Sequence, residues 1–114
     1  MGICSNKPVH LCQKVLSDLN LGDFFSCVVG GDSASSSKPS REPIDLALSI
    51  LSQTHCHTIL VGDSTVDQKA SKNSSLPFIF FSGGYNDGVD FSEVAATIHS
   101  MNDLIPLAKR EGWI

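Results

Sequence analysis

The chain has 114 residues, a formal net charge of −4 and 41% apolar content. That is enough to pack one core, and charged residues at 18% are too few for a disordered tail. No basic run offers a face for nucleic acid, and no apolar stretch nears the roughly 20 residues that cross a bilayer, so neither partner is expected.

Gly2-Ile3-Cys4 is a short apolar run, read as a first strand and closed by polar Ser5-Asn6-Lys7. Leu11, Val15, Leu16 and Leu19 follow at helical spacing. Cys27-Val28-Val29-Gly30-Gly31 is a second strand candidate, and the polar stretch 32–43, with two prolines, is a loop. Ile44, Ala47, Leu48 and Leu51 mark a second helix. Thr58-Ile59-Leu60-Val61-Gly62 is a third strand, residues 66–72 a short helix, and Pro77-Phe78-Ile79-Phe80-Phe81 a fourth strand. Ala96-Thr97-Ile98-His99 is a weaker candidate, and a last helix covers 104–110, with Asn102 as its N-cap and Pro106 in its first turn. Strands that are continuously apolar suit a parallel sheet covered on both faces, and their alternation with helices predicts an α/β fold. Three of the four cysteines, Cys4, Cys12, Cys27 and Cys56, sit in apolar runs, so free thiols and a reducing cytoplasm are expected.

Ligands of open α/β sheets gather at the carboxyl ends of the strands. Here the first three strands end in Ser5-Asn6-Lys7, Gly31-Asp32-Ser33 and Gly62-Asp63-Ser64-Thr65-Val66-Asp67. Asp63 and Asp67 stand four apart at a helix start, so their carboxylates can share one side of its first turn. At about 4 Å they would repel by roughly 4 kcal/mol at an effective dielectric of 20. The helix N-terminus offsets only about 0.3–1 kcal/mol for each. A divalent cation would cancel the repulsion, and oxygen-only ligands favour magnesium over zinc. The plainer alternative is Asp63 as a helix cap and Asp67 as a solvated surface acid. Ser5 and Asn6, a hydroxyl and an amide at a strand end, suit an anion, with a simple cap as the alternative. Lys38 in the polar loop is a candidate charge for that anion.

Taken together, these residues resemble the haloacid dehalogenase-like phosphatases. The resemblance rests on Ser5 within Ile3-Cys4-Ser5-Asn6-Lys7-Pro8, on Lys38-Pro39 ahead of Glu42-Pro43-Ile44, and on Gly62-Asp63-Ser64-Thr65-Val66-Asp67, in that order. Val28-Val29-Gly30-Gly31-Asp32 and Gly83-Gly84-Tyr85 point to the phosphoglycolate-phosphatase-like subgroup. It implies a Rossmann-like three-layer α/β/α core, of which residues 1–114 form a single partial domain. It also implies that Ser5 and the Asn6 amide hold a phosphoryl group and that Lys38 neutralises it. Asp63 would bind Mg2+, and Asp67 would support the metal or position Lys38. The implied reaction is hydrolysis of a small phosphorylated metabolite through a phospho-aspartate.

One departure is large. The family's nucleophile motif is Asp-x-Asp, and no Asp-x-Asp occurs in the sequence. The strand that bears it would lie centrally, between the serine strand and the Gly-Asp strand, so both would be left with open edges. The cap, which chooses the substrate, would be missing as well. The two strands are therefore expected to close together into a smaller sheet, or to take the strand from a partner or a second copy, or else the chain derives from a longer protein. The last is the favoured reading, and alone the chain is expected to be inactive. The competing reading is a non-catalytic remnant or a phosphate-binding module. Ser75 stands where relatives often have a helix-ending glycine. Asp32 is a secondary metal candidate. A zinc reading of His55-Cys56-His57, whose histidines would share one side of a strand and its cysteine the other, has no second ligand cluster to complete it.

Overall fold

A computed structural model describes residues 1–84 and 86–113, so Tyr85 of the Gly-Gly-Tyr signature lies outside the described residues. In chain order the elements are β1 (Gly2–Cys4), α1 (Val9–Asp18), β2 (Cys27–Val29), α2 (Glu42–Leu51) and β3 (Leu60–Gly62). Then come α3 (Thr65–Asn73), β4 (Phe78–Phe81), β5 (Ala96–Ile98) and α4 (Leu104–Arg110). Every strand pairing is parallel, and helices flank the sheets, as the apolar runs imply.

The strands form two sheets rather than one. β1 pairs with β2, setting Ile3 opposite Val28, and β3-β4-β5 pair with Val61 opposite Ile79 and Phe80 opposite Thr97. Among the described residues, β1 and β3 therefore each have one neighbour. Backbone direction alternates along a strand. Ser26 N donates to Met1 O and Ser5 N to Val29 O, so odd residues of β1 face β2, and Gly2 and Cys4 face the open side. Leu60 N donates to Pro77 O, which turns Val61 toward the open side of β3. Both open edges lie over one core cluster, because Cys4 of β1 and Leu60 of β3 pack on Ile44, Leu48, Ala70 and Leu76. Burial follows the pairing. Phe78, Ile79 and Phe80 of β4, flanked on both sides, are 0–1% exposed, whereas Ile3, Cys4 and all of β3 are only half-buried.

Helix α1 turns only part of its apolar stripe inward. Its inward face is Cys12 and Leu16, while Leu11, Val15 and Leu19 of the apolar stripe stay exposed, by 38–60%. The period marks a stripe correctly but does not say what covers it. Near the C-terminus, Ser100 rather than Asn102 is the cap. It forms a capping box with Asp103 over the turn Met101–Asp103, which leads into α4.

All four helices among the described residues end alike. Asn20, Ser52, Ser75 and Gly112 take left-handed φ of 55–75°, and the next residue's N–H reaches back five residues into the helix. At the end of α3, Ser75 N donates to Lys72 O, and Leu76 N donates to Ser71 O before Leu76 enters the core. Ser75 bears a Cβ where glycine is favoured. Ser75→Gly is therefore expected to raise stability by about 0.5–1 kcal/mol, read as a higher denaturant midpoint. An unchanged or lower midpoint would contradict the assignment of strain to this residue.

Candidate functional site

The end of β1 is shaped by two side chains. Ser5 extends the ladder with its N–H, and its Oγ accepts from Lys7 N at 3.1 Å, closing a turn. Asn6 reaches 32 residues along the chain to Lys38. Its Oδ1 accepts from Lys38 N and its Nδ2 donates to Lys38 O, both at 3.0 Å. The loop that carries Lys38 has no regular structure of its own, so this two-way amide clamp fixes it. Asn73 adds a second tie by donating to Pro39 O at 2.8 Å.

So positioned, the Lys38 ammonium donates to Cys4 O at 2.8 Å and to Asp67 Oδ1 at 2.6 Å. The side chains of this ion pair are 9% and 13% exposed. Asp67 uses its other oxygen, Oδ2, to accept from Asp63 N at 3.2 Å and from Ser64 Oγ at 3.1 Å. Ser64 is the N-cap of α3, accepting from Asp67 N, so the cap falls on Ser64 and not on Asp63. Asp67 itself bonds the Lys38 ammonium directly. A continuous chain of bonds thus runs from the β1 terminus through Lys38 and Asp67 to the β3 terminus. It closes the carboxyl end of the gap between the two open edges.

Asp63 is half-buried beside this chain, and its carboxylate lies against the backbone of Gly84, where a Cβ would overlap it. Magnesium commonly takes one or two carboxylates and completes its shell with water and phosphate oxygens. Asp63, a hard oxygen donor at a strand tip next to Asp67, fits one such ligand. Asp67, with both oxygens engaged, fits a place behind it. Among the described residues no three His, Cys, Asp or Glu side chains converge, so no closed protein cage forms.

Two further candidates have partners of their own. Asp32 accepts from Val9 N at 2.9 Å. Its carboxylate takes up the first amide of α1. His55–His57 is a 3-10 turn and not a strand, closed by His57 N donating to Thr54 O, and His55 pairs with Asp45 at 3.3 Å. All four cysteines are free. Burial pushes the Cys4 thiol above its ordinary pKa, with the adjacent Lys38 ammonium opposing the rise.

The sequence reading missed the Asn6 clamp and the loop after β4. There Asp87 accepts from Thr65 N at 2.7 Å and Oγ1 at 2.9 Å, and Gln68 bonds both backbone groups of Asp90. The Thr65 bonds hold the Asp87 carboxyl below the usual carboxylate range. These partners lie 22–32 residues apart, so no local period announces them.

Residues 1–81 match the family model for haloacid dehalogenase-like hydrolases. The chain belongs to that family. Among relatives of this haloacid dehalogenase-like chain, a phosphoglycolate phosphatase from Salmonella typhi is 36% identical over 108 residues, spanning 93% of the chain and 43% of the relative. The crystal structure of a predicted phosphoglycolate phosphatase from Haemophilus somnus superposes with a TM-score of 0.85 at 22% identity, over 94% of the chain and 48% of its own. CbbY from Rhodobacter sphaeroides, solved in complex with phosphate, gives a TM-score of 0.64 at 25% identity over 74% of the chain and 37% of its own. The haloacid dehalogenase-like chain thus spans about half, or less, of the length of these relatives.

Proposed function

We propose that residues 1–114 form the C-terminal part of the core of a magnesium-dependent phosphatase for small phosphate monoesters, phosphoglycolate-like in substrate class. The observation that carries the reading is Lys38. It is nearly buried, clamped by Asn6, and bonded at once to the strand end that bears Ser5 and to the acid that supports Asp63. A cation buried at such expense suits an oxyanion bound beside it. The phosphate held by CbbY and the phosphatase relatives agree with that substrate class.

In this reading the Ser5 hydroxyl and the Asn6 backbone amide hold the phosphoryl oxygens. Lys38 balances their charge, and Asp67 keeps its ammonium aimed. Asp63 holds Mg2+, which supplies charge neutralisation at the phosphoryl group. Transfer of this kind depends mainly on placement and charge compensation. The attacking carboxylate comes from outside residues 1–114, on a short apolar strand parallel to β1 and β3. Inserted between them, that strand would pair with Gly2 and Cys4 on one side and Val61 on the other, and its tip would meet the Lys38 ammonium. A longer chain, a partner or a second copy could supply it. Four free thiols favour a reducing compartment such as the cytoplasm.

The test has two arms. Alone, the chain should hydrolyse p-nitrophenyl phosphate no faster than background, and mixing with the N-terminal half of a phosphoglycolate phosphatase should restore magnesium-dependent turnover. Phosphate with magnesium at about ten times Kd should stabilise the chain alone by about 1.4 kcal/mol, and Asp63→Asn should remove most of that gain. Magnesium-dependent turnover by the chain alone, abolished in Asp63→Asn, would overturn the proposal of an external nucleophile. Absence of both stabilisation and complementation would favour the non-catalytic remnant.

A further inference from the structure

The loop after β4 is fastened to α3 at two points. Thr65 and Gln68 stand three apart and share a face of that helix. Thr65 gives its N–H and its hydroxyl to the two oxygens of Asp87, at 2.7 and 2.9 Å. Gln68, nearly buried, donates from Nε2 to Asp90 O at 2.7 Å and accepts from Asp90 N at 2.9 Å. Between these rungs Asn86 Oδ1 accepts from Gly88 N and Val89 N, and Val89 packs on Phe78 and Phe80. The same loop contains Gly84, whose backbone abuts the Asp63 carboxylate. Asp63 precedes Thr65 by two residues, so it sits between the start of α3 and a loop that is itself tied to α3.

We propose that Asp87 is a positioning residue for Asp63, holding the Gly84 side of the loop against that carboxylate through its two bonds to Thr65. The proposal rests on the reading of Asp63 as a cation ligand. Asp87 is exposed, and an exposed acid adds little to global stability. The core beneath the loop is secured separately by Val89, and its far end by Gln68. What Asp87 controls is where Gly84 is held relative to Asp63. A side chain that orients a metal-binding carboxylate in this way changes metal affinity more than it changes folding.

The experiment uses the full chain with phosphate present and Mn2+ as a paramagnetic probe, its affinity read from water proton relaxation. Amide exchange of residues 82–90 is followed alongside. Asp87→Ala should weaken Mn2+ about 10–100-fold and speed exchange across 82–90. The denaturation midpoint should stay close to that of the parent chain. Asp87→Asn can still accept from Thr65 N and can donate to Thr65 Oγ1, so it should bind Mn2+ within about threefold of the parent. Parental affinity in Asp87→Ala would overturn the proposal. So would Asp87→Asn as weak as Asp87→Ala, since charge and not placement would then be the cause. A parent chain that binds no Mn2+ removes the cation reading of Asp63 and the proposal with it. Exchange then shows separately whether Asp87 restrains the loop.

Discussion

Asp67→Ala is expected to destabilise the chain by about 3–5 kcal/mol, because it leaves the Lys38 ammonium buried without its countercharge. Against a typical total of about 5–15 kcal/mol, that loss would populate the unfolded state strongly. The damage is not confined to one bond. Asp63 N and Ser64 Oγ lose the acceptor they share, and the bridge from Cys4 O to α3 is broken. Lys38→Met should cost less, about 2–3 kcal/mol, because Asp67 keeps its bonds from Asp63 and Ser64. The double variant Lys38→Met with Asp67→Leu removes both charges and should recover much of the loss, so the cycle closes on a favourable coupling. The exposed pair Lys14–Asp18 has a similar bond length, 2.7 Å, but side chains 68% and 61% exposed. Asp18→Ala should therefore fall within about 0.5 kcal/mol of the parent. Urea midpoints of these variants check the argument. If Asp67→Ala costs no more than Asp18→Ala, the buried pair does not join the two half-sheets.

The pairing of a buried cation with an open strand gap explains which parts of the molecule were legible beforehand. Continuous apolar runs such as Phe78-Ile79-Phe80 can be read as parallel strands because each residue must suit a covered face, and β4 meets that condition on both sides. The open edges of β1 and β3 follow from a motif the sequence lacks, and the structure divides its sheet at that place. Partners chosen by packing were not legible. Asp32 and Asp63 each follow a glycine at a strand end, yet one caps α1 and the other lies against the loop after β4. Asn6 carries no local mark of its role, since the amide clamp on Lys38 spans a loop whose path the clamp itself fixes. His55-Cys56-His57 alternates like a strand, but a turn closed on Thr54 and the pairing of His55 with Asp45 outweigh that short pattern.

The second large effect concerns the turn on which the anion reading depends. Gly31→Ala is expected to lose about 2–4 kcal/mol of stability and the phosphate response together, in line with overpacking against atoms that cannot withdraw. A Cβ on Gly31 would overlap the carbonyl of Asn6, a backbone group and not a flexible side-chain end. That carbonyl is held in place from three directions. Gly31 N donates to Lys7 O at 2.9 Å, Ser5 Oγ closes the turn onto Lys7 N, and the Asn6 side chain is committed to Lys38. Relief would require the 5–7 turn to move, and Lys38 would move with it. Gly22 provides the control, because a Cβ there meets nothing and its φ is ordinary. Gly22→Ala should be neutral or stabilising by about 0.4–1 kcal/mol, through loss of unfolded-state entropy. Urea midpoints, together with the stabilisation produced by phosphate and magnesium, separate the two substitutions. A Gly31→Ala chain that keeps both its midpoint and its phosphate response would show that the close approach of β2 to the Ser5–Asn6 turn does not set the geometry of the site.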